Sequence, residues 1–80
     1  MFFVYILKSL GHDRLYTGFT DDLDARLKKH NSGSVRSTKA YKPYEIIYSE
    51  RYDDKTSARK RELFLKSGQG RKWVREKILK

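Results

Sequence analysis

Tyr5 and Tyr16 lie in two strand-like runs, Phe2 to Leu7 (FFVYIL) and Arg14 to Thr20 (RLYTGFT), with the turn residues Gly11-His12-Asp13 between them. This pattern predicts a β-hairpin. Its register decides whether the two phenols act together, because side chains alternate faces with period two. Pairing of Ser9 with Arg14 across a four-residue loop sets Tyr5 opposite Gly18 and Tyr16 opposite Leu7, with both phenols on one face. A three- or five-residue loop separates them. In the shared-face register Gly18 brings no side chain over Tyr5, which predicts room for a ligand above that phenol.

Three further polar residues fall where apolar ones are expected. Leu23, Arg26, Leu27 and His30 recur at i, i+3, i+4, i+7 on a helix expected from about Asp22 to His30. A core-facing helix ordinarily keeps arginine and histidine outside. On a later helix, expected from about Lys55 to Ser67, Ala58, Glu62 and Leu65 share a stripe. A buried-side carboxylate needs a compensating cation. Arg26 can supply it as an ion pair, or Glu62 can hold Mg²⁺; Arg26 can also pair with Asp22 one turn back, with His30 hydrogen-bonded near the helix end.

The elements that must position these groups follow from the remaining pattern. Thr20-Asp21-Asp22 offers caps for the first helix, and Asn31-Ser32-Gly33 stops it. Ser32 to Lys42 is polar and aperiodic, which predicts an exposed loop on which Arg36, Lys39 and Lys42 are candidate phosphate contacts. After Pro43, Tyr44 to Glu50 alternates as a third strand, with Tyr44, Ile46 and Tyr48 on one face if no bulge intervenes. Asp53-Asp54 caps the second helix. Gly68-Gln69-Gly70 is expected to interrupt the chain before a last helix from Arg71 to Lys80, docked by Trp73, Val74 and Ile78.

Eighty residues predict a single domain spanning 1–80, with a small and largely aromatic core. There is no cysteine, so disulfides and thiolate metal sites are excluded, and two isolated histidines do not make a zinc site. The net charge of +9 points to polyanions, with nucleic acid the leading partner. No apolar run approaches membrane-spanning length and no cleavable leader is recognisable, so the expected setting is cytoplasmic, with no membrane partner.

The ordered set resembles the small stand-alone members of the GIY-YIG nuclease superfamily. Phe3-Val4-Tyr5 stands where the GIY triplet stands and Tyr16-Thr17-Gly18 where YIG stands; Phe19 to Leu23 with Arg26, Leu27, His30 and Asn31 is similar to the helix signature, and Arg59 to Leu65 (RKRELFL) to the segment bearing a metal-binding glutamate. The resemblance implies an α/β (α+β) fold, a three-stranded, mostly antiparallel sheet flanked by helices, like the N-terminal nuclease domain of the excinuclease. It implies an endonuclease that hydrolyses nucleic-acid phosphodiesters, DNA more than RNA, with one divalent ion, Mg²⁺ or Mn²⁺. By position it makes Tyr5 and Tyr16 the paired tyrosines, Arg26 the catalytic arginine, His30 the polar residue one turn later and Glu62 the metal ligand.

The residue types suit that chemistry. A free phenol, with a pKa of about 10, is mostly protonated at neutral pH, and a nearby Arg26 and a Glu62-bound ion both favour phenolate and hydroxide. Arginine stays charged and matches phosphate oxygens in pairs. His30 can orient water, contact phosphate or pass a proton. Two departures from the family pattern stand out: only the tyrosine of the GIY triplet is present, and Phe19 occupies a position where the excinuclease-like branch carries a lysine.

Overall fold

The computed structural model describes residues 1–79. The order is β1 (Phe2–Ser9), β2 (Leu15–Thr20), α1 (Leu23–Asn31), a single 3₁₀ turn (Lys39–Tyr41), β3 (Tyr44–Tyr52), α2 (Lys55–Lys66) and α3 (Gly68–Lys77). The strands form one sheet in the order β2-β1-β3, and both pairings are antiparallel. This is the α/β architecture expected from the sequence.

The apolar run of β1 is explained by its central place, where both faces are covered and each alternate residue finds its own core. Val4 and Ile6 pack with Ala58, Leu65 and Val74 of α2 and α3 on one face. Tyr5 and Leu7 pack with Tyr44 on the other, where Tyr16, Leu23 and Leu27 close over them. The pairing of β1 with β3 slips between Ile6 and Leu7, so Ile6 meets Tyr48 while Leu7 meets Ile46. The extra residue, Ile47, is a bulge that changes the phase of the strand. Tyr44 and Ile46 therefore join the Tyr5 face, whereas Tyr48 packs on the Val4–Ile6 core, against the expectation that the three share a face.

Side-chain caps start the helices where the sequence placed them. Asp22 accepts from the Ala25 amide at 3.1 Å and Asp54 from the Ser57 amide at 2.8 Å, each satisfying a donor that the first turn leaves free. The last helix begins at Gly68, three residues before the expected Arg71, and Lys80 lies outside the described residues. Ser67 both closes α2 and caps α3, accepting from the Gly70 amide at 3.2 Å. Gly70 permits this because α3 packs so closely on α2 that a Cβ there would run into the Phe64 carbonyl and reach 2.5 Å from Leu65 Cα. The interrupting glycines are thus helical. Val74 is buried and Trp73 and Ile78 are half-buried against the same core, as docking residues.

A polar clamp ties β3 to both helices. Arg61 of α2 donates to the two oxygens of Glu50 at 2.9 Å each, Tyr48 and Tyr52 donate to the same carboxylate, and the guanidinium lies 4.8 Å from the Trp73 ring centroid. Burial alone would raise the Glu50 pKa, but the Arg61 and tyrosine hydrogen bonds outweigh it and hold the carboxylate below its ordinary value. Burial and the Glu50 charge push Tyr52 up to about 12. Among the described residues no helix is long and apolar enough to cross a membrane.

Candidate active site

The Ser9 amide donates to the Arg14 carbonyl at 3.0 Å, closing a four-residue loop. Tyr5 accordingly pairs with Gly18 and Leu7 with Tyr16. Both phenols stand on one face with ring centroids 6.3 Å apart. The expected room above Tyr5 is not there: the gap left by Gly18 is filled by the Tyr5 hydroxyl itself and the edge of the Tyr16 ring, and Tyr5 is only 1% exposed.

Helix α1 brings Arg26 and His30 onto this face. His30, wholly buried, lies 3.0 Å through Nε2 from the Tyr5 hydroxyl and 2.8 Å through Nδ1 from Thr38 Oγ1. Burial, reinforced by the nearby Arg26 charge, holds the His30 pKa below its ordinary value, so the ring is neutral at neutral pH. A neutral imidazole has one donor and one acceptor. The contacts form one chain: Arg26 Nε donates to Tyr5 over a long 3.4 Å, and His30 bonds Tyr5 through Nε2 and Thr38 through Nδ1; with Nδ1 protonated, Tyr5 donates to His30, His30 donates to Thr38, and Thr38 donates to the Val35 carbonyl at 3.4 Å. Arg26 makes no ion pair with Asp22.

Burial and charge limit what each group can do. Burial is the largest effect on Tyr5 and raises its pKa; the Arg26 hydrogen bond opposes this, while the Tyr16 and Glu62 charges add to it. Tyr5 therefore stays a protonated phenol at neutral pH, and Arg26 does not turn it into phenolate. Tyr16 is the half-exposed member of the pair, its ring 4.9 Å from that of His30. Of the roles open to His30, direct contact with phosphate is removed by its burial.

The neutral state of His30 has a measurable consequence. With the folded pKa depressed, the unfolded chain takes up a proton first as pH falls. The stability contributed by neutral His30 is complete above the unfolded value of about 6.5 and declines as pH falls through it toward the folded value. Urea midpoints should drop between about pH 7.5 and 5, and His30→Asn should flatten that slope. An unchanged slope in the variant would refute the buried-neutral assignment.

Glu62 is 4% exposed on α2, and its cations are neither Arg26 nor unspecified: Arg59 Nη1 lies 2.6 Å from Oε1 and Lys66 Nζ 3.0 Å from Oε2. These partners also flank the hairpin. Lys66 Nζ is 5.8 Å from the Tyr16 ring centroid, and the Arg59 guanidinium is 5.9 Å from that of Phe19. Glu62 thus sits at the β2 side of the site, with Lys66 between its carboxylate and Tyr16.

In keeping with this geometry, the family model of the GIY-YIG catalytic domain matches residues 1–76. The chain belongs to the GIY-YIG family. UPF0213 proteins of Staphylococcus aureus strains Mu3 and Mu50 are each 42% identical to it over 66 residues, which cover 81% of this chain and 79% of theirs. The solution NMR structure of the UPF0213 protein BH0048 from Bacillus halodurans resembles it with a TM-score of 0.57 at 31% identity, covering 98% of this chain and 87% of that one. Membership supports a nuclease-type function and nucleic-acid binding, and GIY-YIG nucleases are generally dependent on a divalent metal.

The donor set can be tested against such an ion. Among the described residues there is no cluster of three His, Cys, Asp or Glu side chains, and the candidate ligand at this site is the Glu62 carboxylate. Arg59 and Lys66 occupy both of its oxygens, so an ion there would displace them, and their exposed side chains can move away into solvent. A single hard oxygen ligand fits Mg²⁺ or Mn²⁺, which keep waters and take phosphate oxygens, and does not fit a structural zinc site.

Other parts of this GIY-YIG site were not visible in the pattern. Thr38 fell within the stretch expected to be an exposed loop, yet it is buried, and the Tyr44 hydroxyl donates to its carbonyl at 3.1 Å. Asn31 accepts from the Tyr44 amide at 2.7 Å and donates to the Tyr44 carbonyl at 3.1 Å, pinning α1 to β3 beyond its role at the helix end. Neither contact leaves a local signal. Lys66 did leave one, since it follows Glu62 at i+4. Arg36, Lys39 and Lys42 are exposed on the segment around Thr38 and take no part in the hydrogen-bonded chain.

Proposed function

We propose that this protein is a metal-dependent endonuclease that hydrolyses nucleic-acid phosphodiester bonds in the cytoplasm, DNA in preference to RNA, during repair or processing of DNA. The observation that carries the reading is the hydrogen-bond chain through Arg26, Tyr5, His30 and Thr38, on the same face as the half-exposed Tyr16. Such a polar series holds a guanidinium on the Tyr5 phenol, with the Tyr16 ring packed beside Tyr5 and His30, which suits catalysis by preorganised charge.

Arg26 uses its Nε on Tyr5, leaving the paired Nη groups for phosphate oxygens, where negative charge grows in the transition state. Tyr16 takes a proton from the attacking water as it hands its own hydroxyl proton to a phosphate oxygen, a relay that leaves the phenol protonated. Tyr5, His30 and Thr38 are positioning residues: they hold Arg26 and Tyr16 and keep water out of the chain. Glu62 would hold Mg²⁺ or Mn²⁺, which when bound supplies charge neutralisation at the phosphate. Arg59 and Lys66, both more than two-fifths exposed at their side chains, can swing from Glu62 toward phosphate oxygens. Arg36, Lys39 and Lys42 supply further phosphate contacts. DNA is favoured by the resemblance to the excinuclease domain.

A second reading, a nucleic-acid-binding module without turnover, is favoured by one observation: both Glu62 oxygens are already engaged by cations. Incubation with nicked, branched and single-stranded DNA and with RNA, plus Mg²⁺ or Mn²⁺, separates the two. Wild type should cut, and Tyr16→Phe and Glu62→Ala should each lose about a hundredfold or more in rate. Equal cleavage by all three proteins would expose a contaminant. Binding without cleavage under every condition would favour the module.

A further inference from the structure

On the opposite face of the hairpin from Tyr5, a groove of about 540 Å³ opens between β2 and α3. Leu65 and Val74 form its floor, and Leu15 and Leu79, 42% and 40% exposed, stand along it as apolar walls left in water. Its rim is cationic. Lys66, Arg71 and Arg75 line it against one acid, Asp13, and among the described residues neither Arg71 nor Arg75 has a carboxylate within salt-bridge distance. Tyr16 and Lys66 belong both to the groove and to the candidate active site, so the two adjoin at the β2 edge of the sheet.

We propose that this groove takes one nucleotide lifted out of its base stack, next to the phosphate bound at Tyr16; this rests on the nuclease reading of that site. An apolar floor under a cationic rim matches the two halves of a nucleotide, a flat base and a charged phosphate. The volume lies within the roughly 300–1,000 Å³ usual for ligand pockets, enough for one base with its sugar. A paired and stacked base cannot place its face on the exposed Leu15 and Leu79, because its neighbours already cover it. The groove therefore selects unpaired or easily splayed nucleic acid, with Arg71 and Arg75 on the phosphates that flank the extruded base. Charge complementarity argues against an apolar protein segment as the occupant: three cations would then be left facing it.

The test uses the full chain without metal, so that binding is read without cleavage. Fluorescence anisotropy compares a labelled single-stranded DNA, the blunt duplex of the same sequence, and single strands in which one abasic residue is moved along the chain. The single strand should bind at least about tenfold more tightly than the duplex, and one abasic position should cost about tenfold. Arg71→Gln with Arg75→Gln should weaken single-strand binding about tenfold or more, well beyond Lys72→Gln with Lys77→Gln, which removes the same charge from α3 outside the groove. Amide shifts of Leu15, Thr17 and Val74 in the wild-type protein should move with the single strand. Equal or tighter duplex binding, equal losses in the two double variants, or unmoved groove amides would overturn the proposal. Cleavage without selective binding would sink the groove and leave the nuclease standing; selective binding without cleavage in any divalent ion would do the reverse.

Discussion

Arg26→Lys should lower single-turnover cleavage about a hundredfold or more, while the melting temperature changes by no more than about 3 °C. The two readouts separate because Arg26 is half-buried at the edge of the site and its Nε bond to Tyr5 is long, 3.4 Å, so little folding free energy depends on it. Its contribution lies in a planar fork, one nitrogen on the phenol and two directed at phosphate. Lysine keeps the charge but concentrates it at one point that cannot serve both. Tyr5→Phe, which removes the anchor and leaves the guanidinium, should fall between wild type and Arg26→Lys. A lysine variant that cuts at the wild-type rate would remove Arg26 from catalysis.

Gly18→Ala should cost about 2–3 kcal/mol of stability and most of the cleavage activity. A Cβ at Gly18 would lie 2.6 Å from the Tyr5 hydroxyl, 2.8 Å from its Cζ and 3.0 Å from Tyr16 Cε2. The clash would be cheap against a free side-chain end. Here the Tyr5 hydroxyl is held by buried His30 at 3.0 Å and cannot move without breaking that bond. Denaturant titration and cleavage on one preparation test the claim; a variant as stable and as active as wild type would show that Tyr5 is not held as described. A glycine that seemed to leave space for a ligand thus leaves space for the site's own phenol.

How much of this was legible differs from residue to residue. The hairpin itself could be read, but its register could not: loops of three, four or five residues were all open, and the structure selects the four-residue loop that puts both phenols on one face. Arg26, His30 and Glu62 announced themselves by interrupting apolar stripes. Their partners were hidden. The Glu62 cations come from its own helix, one of them at the readable i+4 position, while Arg26 goes to a phenol on β1. Thr38 gave no warning, because a polar residue in a polar segment looks the same whether it meets water or a buried imidazole. The bulge at Ile47 was equally silent, since Tyr44 to Tyr52 alternates well enough in either phase.

The sequence by itself determined the elements, their caps, the family and the positions that break apolar periodicity. Those are local properties, carried by turn chemistry and by the two- and 3.6-residue periods. Only the tertiary structure decided which phenol is sealed and which half-exposed, that His30 is a neutral link rather than a contact for phosphate, that Lys66 stands between Glu62 and Tyr16, and that the Gly68-to-Gly70 segment is helical. Each depends on how α1, α2 and α3 approach the sheet and one another, and burial and charge pairing follow from those distances. The phenols that open the sequence as an equal pair close as unequal partners, separated by burial.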